Sequence, residues 1–246
     1  MATIEKLKDI VLENDSASYN LGYKNIDNLI GEIKSNTIIT IGARPGMGKT
    51  SFLNNVIINL LNNYNLPTLY ISLDSSKEKL ISDLASISNK SVKELQNNDY
   101  NLYISANCFN ISDLEKLLEE NEDIKVLAID YIQLLSGKNT FTSMADSYSD
   151  ILSRLKVMAE KYKLIILLTS QLSRNVELRM DKEPQIKDLG KTSALEEISD
   201  IIMFLYHEDY YIKESKNKLT EVIVAKNRYG KTGITYLNYK ENKYID

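Results

Sequence analysis

The sequence predicts an α/β fold, a mainly parallel central sheet flanked by helices. Three observations predict it. Short, almost continuous apolar runs recur along the chain, as in strands covered on both faces. Amphipathic helical patterns lie between them, the alternation that builds parallel sheets. The first strand-to-helix junction carries the glycine-rich turn "IGARPGMGKTSF".

The elements can be justified in order. Ile4, Leu7 and Val11 form a narrow apolar stripe on a charged helix, and "NDSAS" follows as a linker. Residues 1–20 are therefore expected to be linker helix and linker, and 21–246 the folded domain. Strands are predicted at "TIITIG" (37–42), "TLYISLD" (68–74), "VLAID" (126–130), "LIILLTS" (164–170) and "DIIMFLY" (200–206). Helices are predicted at "KTSFLNNVIINLLNNY", "SKEKLISDLASIS", "ISDLEKLLEEN" and "DSYSDILSRLKVMAEKY". The tail alternates with period two around Gly230, which predicts a closing C-terminal β-hairpin. The stretch "SRNVELRMDKEPQIKDLGKTSALEE" is polar and aperiodic, and too long for an idle connection.

Composition narrows the function classes. The 246 residues carry a net charge of -4, so no global positive field draws in nucleic acid, although a local basic loop is compatible with that balance. One cysteine, Cys108, and one histidine, His207, exclude an intrachain disulfide and argue against a Cys- or His-based metal site. The cysteine usage and the charged start, "MATIEKLKDIVLEND", fit a reducing cytoplasm and no secretory signal. No run approaches the roughly eighteen apolar residues of a membrane span, so no membrane partner is expected.

Four motifs carry chemistry. In "ARPGMGKTS", residues Ala43, Arg44, Pro45, Gly46, Met47, Gly48, Lys49, Thr50 and Ser51 form a phosphate-binding loop running into a helix N-terminus, where backbone N–H groups and the helix dipole favour anions. Lys49 is placed to reach the β- and γ-phosphates of a nucleotide such as ATP, and the Thr50 hydroxyl to bind Mg²⁺. "VLAID" ends in Asp130, the second expected magnesium-site residue. "LLTSQL" sets Gln171 at a strand tip, a position from which it can sense a γ-phosphate. In "VAKNRYGKTG", Lys226 and Arg228 alternate with Asn227 and so share one face; Arg suits charge neutralisation of a transferring phosphoryl group. Asp74, at the hinge of "LYISLDSSKEKL", reads either as the acid that activates water or as a helix N-cap; the catalytic role is the favoured reading.

Taken in order, "GYKNID", "ARPGMGKT", "SLDSSKEKL", "IDYIQLL", "SQLSRNVELRMDKEPQIKDL", "SDIIMFLYHEDYY" and "AKNRYGKTG" resemble the C-terminal ATPase domain of the bacterial replicative DNA helicase (DnaB) family, from about Gly22 to the chain end. The resemblance implies a RecA-like P-loop NTPase fold, a homo-oligomer of six subunits with ATP and Mg²⁺ between neighbours, and single-stranded DNA through the centre. It implies Asp74, Lys49, Gln171, Lys226 and Arg228 as the catalytic set, the last two supplied across the interface with Arg228 as arginine finger. It adds a helicase loader or primase as further partners, and gives residues 4–12 the place of a linker helix docking on the adjacent subunit.

Three departures qualify these expectations. The family's strand ends in Glu within "SLEMS", whereas here Asp74 is shorter by one methylene, on the order of 1.5 Å of reach, and a misplacement of about 1 Å costs roughly a hundredfold in rate; slow turnover is expected. Where the family has Asp-Leu-Arg-Glu-Ser-Gly, this chain has "KDLGKTSALEE", with Gly190 at the arginine and Lys191 next to it. The remaining candidates for DNA phosphate contacts are Arg174, Arg179, Lys187 and Lys191. The family's N-terminal domain has no counterpart in this sequence. Two function classes therefore compete: a 5′-to-3′ helicase motor domain, and a nucleotide-dependent interaction or regulatory module that hydrolyses weakly and unwinds nothing. "KNRYG" also resembles a motif of the RadA repair ATPases, against which the loop "SRNVELRMDKEP" argues.

Overall fold

A computed structural model describes residues 17–137, 144–212 and 218–246. The expected linker helix at residues 4–12 lies outside the described residues. Tyr19 pairs with Ile33 by two backbone hydrogen bonds of 2.8 Å, so the folded unit reaches back into the segment expected to be linker.

The first elements are α1 (Lys24–Ile30), β1 (Ile38–Ala43), α2 (Lys49–Tyr64), β2 (Thr68–Ser72), α3 (Lys77–Ser88), α4 (Val92–Gln96) and β3 (Leu102–Ser105). They are followed by α5 (Ile111–Glu120), β4 (Val126–Asp130), α6 (Met144–Tyr162), β5 (Ile165–Gln171), α7 (Leu195–Ile198) and β6 (Ile201–Tyr206). The chain ends in α8 (Glu208–Tyr211), β7 (Thr220–Asn227), β8 (Gly233–Lys240) and β9 (Lys243–Ile245). The described strands form one sheet in the order β3-β2-β4-β5-β1-β6-β7-β8-β9. From β3 to β6 the pairings are parallel, and from β6 to β9 antiparallel.

Period-two alternation assigns each strand's side chains to two cores. Ile39 and Ile41 of β1 join Phe52, Leu53 and Val56 of α2 and Leu80 and Leu84 of α3 on one face. Ile38 joins Leu114 of α5 and Ile151 and Leu155 of α6 on the other. A sheet covered on both sides explains why β1, β2 and β4 are buried at every position.

The closing element is a three-stranded meander, larger than the expected hairpin. After β8 the chain turns through Glu241 and Asn242, both at positive φ (52° and 65°), between the paired Lys240 and Lys243. Two such residues make the tight turn whose twist suits adjoining antiparallel strands. The aperiodic stretch is also more ordered than its composition implies. It folds into two 3₁₀ turns, Arg174–Leu178 and Ile186–Thr192, followed by α7. Gly190, within the second turn, has φ 58° and ψ -117°, a conformation that disfavours any side chain.

Candidate nucleotide site

The C-terminal ends of β1, β2, β4 and β5 open onto a cavity of about 560 Å³. Its lining includes Pro45, Gly46, Gly48, Lys49, Thr50 and Ser51 from the turn between β1 and α2. Gly46 and Gly48 have φ of 81° and 77°, and a Cβ on Gly48 would stand 2.2 Å from the Tyr244 hydroxyl. This turn therefore requires glycine both for its backbone and for the close approach of β9. Ala43, Arg44 and Met47 do not line the cavity; their side chains are buried elsewhere, which corrects the expectation that every residue of the loop faces a ligand. At those three positions only the main chain remains a candidate.

Asp130 ends β4 at 1% exposure. The Thr50 hydroxyl donates to its Oδ2 at 2.6 Å, and the Thr169 hydroxyl of β5 donates to its Oδ1. Burial pushes the Asp130 carboxyl above the usual range, opposed by the two hydroxyls and by Lys49. Burial likewise holds the Lys49 ammonium below its ordinary value, opposed by Asp130 and Asp74. Each group is thus biased toward losing its charge by the same dry pocket, and each supports the other's charge.

Asp74 is exposed and lines the same cavity. It does not cap α3. That role belongs to Ser76, whose hydroxyl accepts from the Lys79 N–H at 3.3 Å. Gln171 also lines the cavity. Its main chain is held by Gln133, whose amide donates to the Gln171 carbonyl (3.0 Å) and accepts from the Gln171 N–H (3.2 Å). The same amide donates to Ser170 Oγ at 2.9 Å.

Lys226 and Arg228 are at the other end of the sheet. The Arg228 N–H pairs with the carbonyl of Asp200, whose own carboxylate accepts from the N–H of Ile38 at the start of β1. The cavity begins beyond Ala43 at the end of that strand, about five residue steps and about 17 Å away. Arg228 Nη1 reaches Asp200 Oδ1 at 3.2 Å and Nη2 donates to the Glu197 carbonyl at 2.6 Å. Lys226 donates to the carbonyls of Glu196 and of Ser199, the latter at 2.7 Å. The two cations thus share a face, as expected, but stand far from their own chain's cavity.

Among the basic candidates, Arg174 and Lys187 are exposed. Arg179 is occupied within its own loop. Its Nη1 donates to both oxygens of Asp188 (2.8 and 2.9 Å), and Nη2 to the Glu183 carbonyl (2.6 Å). It serves as a strut there, a correction to its expected place as an open phosphate contact. The Lys191 side chain lies outside what the structure describes.

Sequence reasoning missed several cavity residues. Tyr239 and Asn242 reach it from β8 and the turn that follows, with Ser51 Oγ donating to the Tyr239 hydroxyl at 3.2 Å. Asn54, Lys79, Asp83 and Tyr131 line it as well. The tail residues carried no local signal, since only the fold brings them across almost the whole chain. Gln133 lies within the motif "IDYIQLL" and was legible as a polar residue beside the buried Ile132.

A parallel sheet with a glycine turn feeding a helix, and a buried carboxylate at the neighbouring strand end, defines the class: a RecA-like α/β domain with a phosphate-binding loop. Comparison with known proteins carries this to a family. The sequence profile of the DnaB-like helicase C terminal domain matches residues 19–103 and 83–244, so the chain belongs to that family. It is 29% identical to the replicative DNA helicase DnaB of Buchnera aphidicola subsp. Baizongia pistaciae, over 99% of this chain and 62% of that protein. It is 29% identical to the DnaB of Geobacillus stearothermophilus, over 92% of this chain and 56% of that one. The chain therefore spans about three-fifths of the length of these relatives. Among solved structures, a DnaB-like replicative helicase superposes with a TM-score of 0.79 at 29% identity, covering 92% of this chain and 61% of that one. A separately solved ATPase domain superposes with a TM-score of 0.81, also at 29% identity, covering 92% of this chain and 90% of that one. A KaiC-like protein from Pyrococcus horikoshii OT3, at 16% identity and a TM-score of 0.70 over 93% of this chain and 98% of that one, shares the fold alone.

Proposed function

We propose that this chain is the motor domain of a replicative DNA helicase, hydrolysing ATP between subunits of a hexameric ring to translocate on single-stranded DNA and unwind duplex. The observation that carries the reading is the convergence of Lys49, Thr50, Asp74, Asp130 and Gln171 on one cavity. The donor set suits Mg²⁺: a hydroxyl and one buried carboxylate, both hard oxygen ligands, already joined at 2.6 Å. Bound by Thr50 and Asp130, Mg²⁺ would neutralise phosphate charge.

The chain's own groups divide the remaining work. The N–H groups of Gly46 to Thr50 hold phosphate oxygens, and Lys49 adds a charge in a pocket where charge is poorly screened. Asp74 takes the proton of the attacking water. Gln171, its backbone fixed by Gln133, answers to the terminal phosphate. Lys226 and Arg228 act on a neighbouring subunit's cavity, supported by their distance from their own. Arg174 and Lys187 offer exposed charge to a DNA backbone, and Lys191 is a further candidate. Loader and primase contacts accompany the same reading, since the matching DnaB-like replicative helicase is described together with its interactions with primase. No described helix is long and apolar enough to cross a membrane.

Steady-state ATP hydrolysis with and without oligo-dT tests the reading. We expect DNA to stimulate turnover, Asp74→Ala to abolish it, and Asp74→Glu to raise it by restoring reach. Negligible hydrolysis that Asp74→Ala leaves unchanged would instead identify a nucleotide-dependent interaction module.

A further inference from the structure

Arg44 sits in the phosphate-binding loop with its side chain turned away from the cavity. Its carbonyl accepts the N–H of Met47 (3.2 Å), so its main chain is part of the turn itself. Its guanidinium leaves in the opposite direction. Nε (2.8 Å) and Nη2 (2.7 Å) converge on one oxygen of Glu177, and Nη1 donates to the carbonyl of Leu172 (2.8 Å). The Arg44 side chain is 7% exposed and that of Glu177 40%. A guanidinium that dry needs its counterion, and Glu177 is the carboxylate on it.

Glu177 belongs to the 3₁₀ turn Arg174–Leu178, which is itself firmly held. Val176 is fully buried, and Lys182 donates to the carbonyls of Glu177 (2.6 Å) and Arg179. The Ser173 N–H donates to the carbonyl of Asp188 at 2.7 Å, and Arg179 forks onto the Asp188 carboxylate. Asp188 lies in the second turn, Ile186–Thr192. A continuous set of polar contacts thus runs from the phosphate loop through Glu177 to both turns that present Arg174 and Lys187 at the surface. The loop and these turns are joined by an ion pair that a single substitution can cut.

We propose that Glu177 is a positioning residue that couples nucleotide occupancy of the phosphate loop to single-stranded DNA binding on residues 173–192. The inference rests on the helicase reading above. Closing the loop on phosphates moves the Arg44 main chain, and the ion pair carries that displacement into the turns. By linkage, DNA held on the turns favours the closed loop by the same factor.

The test measures both arms of that cycle in the 246-residue chain. Affinity for adenylyl imidodiphosphate is measured with and without oligo-dT, and affinity for labelled oligo-dT with and without the nucleotide. In the wild type each ligand should tighten the other by about tenfold, equally in both directions. Glu177→Gln keeps the side chain's shape and removes its charge. It should reduce the factor to below about threefold, while each ligand alone binds within about threefold of wild type. Glu177→Asp should recover part of the coupling, which a purely structural defect would not. Three results overturn the inference: full coupling in Glu177→Gln, a wild type that binds both ligands independently, or loss of nucleotide binding by Glu177→Gln without DNA present. A wild type that binds nucleotide but no DNA defeats the helicase reading itself, and the inference with it.

Discussion

Asp74 and Ser76 stand two residues apart and do different work. Ser76 takes the backbone duty of ending one segment and starting the next, which leaves the Asp74 carboxylate free of a cap and open to the cavity. The same division appears at the loop, where Gly48 yields space to Tyr244 while Lys49 lines the cavity. His207 is a residue whose effect is thermodynamic. Burial holds its imidazole below 6.5, with Asp209 pulling weakly the other way, and Nε2 meets the Thr220 hydroxyl at 3.1 Å. As pH falls through 6.5 the unfolded chain therefore takes the proton first. Stability is fully present above 6.5 and declines toward the lower native pKa. We expect urea midpoints to fall between about pH 7 and about pH 5.5, and less so in His207→Gln. Equal slopes for the two proteins would assign the loss to other groups.

At the scale of elements, α3 and the turn before it form the wall that carries Asp74, Lys79 and Asp83 to the cavity. Ser76→Ala should cost about 1 kcal/mol by loss of the cap, whereas Asp74→Ala should change stability by no more than about 0.5 kcal/mol, as at an exposed position. Chemical denaturation of the two variants checks this, and a larger loss from Asp74→Ala would return the cap to that residue. The strands buried on both faces, β1, β2, β4, β5 and β6, were legible in the sequence because burial on both sides leaves uninterrupted apolar runs. The helix α2 was legible to the residue. By contrast β3, the four-residue "LYIS", is a sheet edge with only partial burial, and its pattern is too short to stand out. The helix α1 begins without a side-chain cap; Asp27, inside it, instead accepts three N–H groups from residues 21–23. The 3₁₀ turns at 174–178 and 186–192 are held largely by polar contacts among residues 173–192 themselves, which leave no hydrophobic period to read. The glycine-rich turn and Asp130 could be placed in advance from their local motifs, while Glu177 and Tyr239, which only the fold brings to Arg44 and to the cavity, could not.

The whole molecule places its cavity at one end of the parallel strands and the Lys226–Arg228 pair at the other. If these cations serve a neighbour, variants should complement each other. Lys49→Ala and Arg228→Ala are each expected to be inactive alone. Mixed in equal amounts, they should regain activity at the roughly one quarter of random interfaces that join an intact cavity to an intact Arg228. A mixture as dead as its components would place Arg228's role within its own subunit.

The opposite-end arrangement also fixes an arithmetic of completeness. On the proposed reading each subunit would contribute a cavity by one end of its sheet and a pair of cations by the other, and subunits associating head to tail would complete one another in turn. A pair of subunits has one finished site, an open row of n has n minus one, and only a closed ring leaves none wanting. Turnover per subunit should therefore climb steeply with protein concentration and level off when the last gap closes. In such an assembly a single missing member silences a site it does not itself contain.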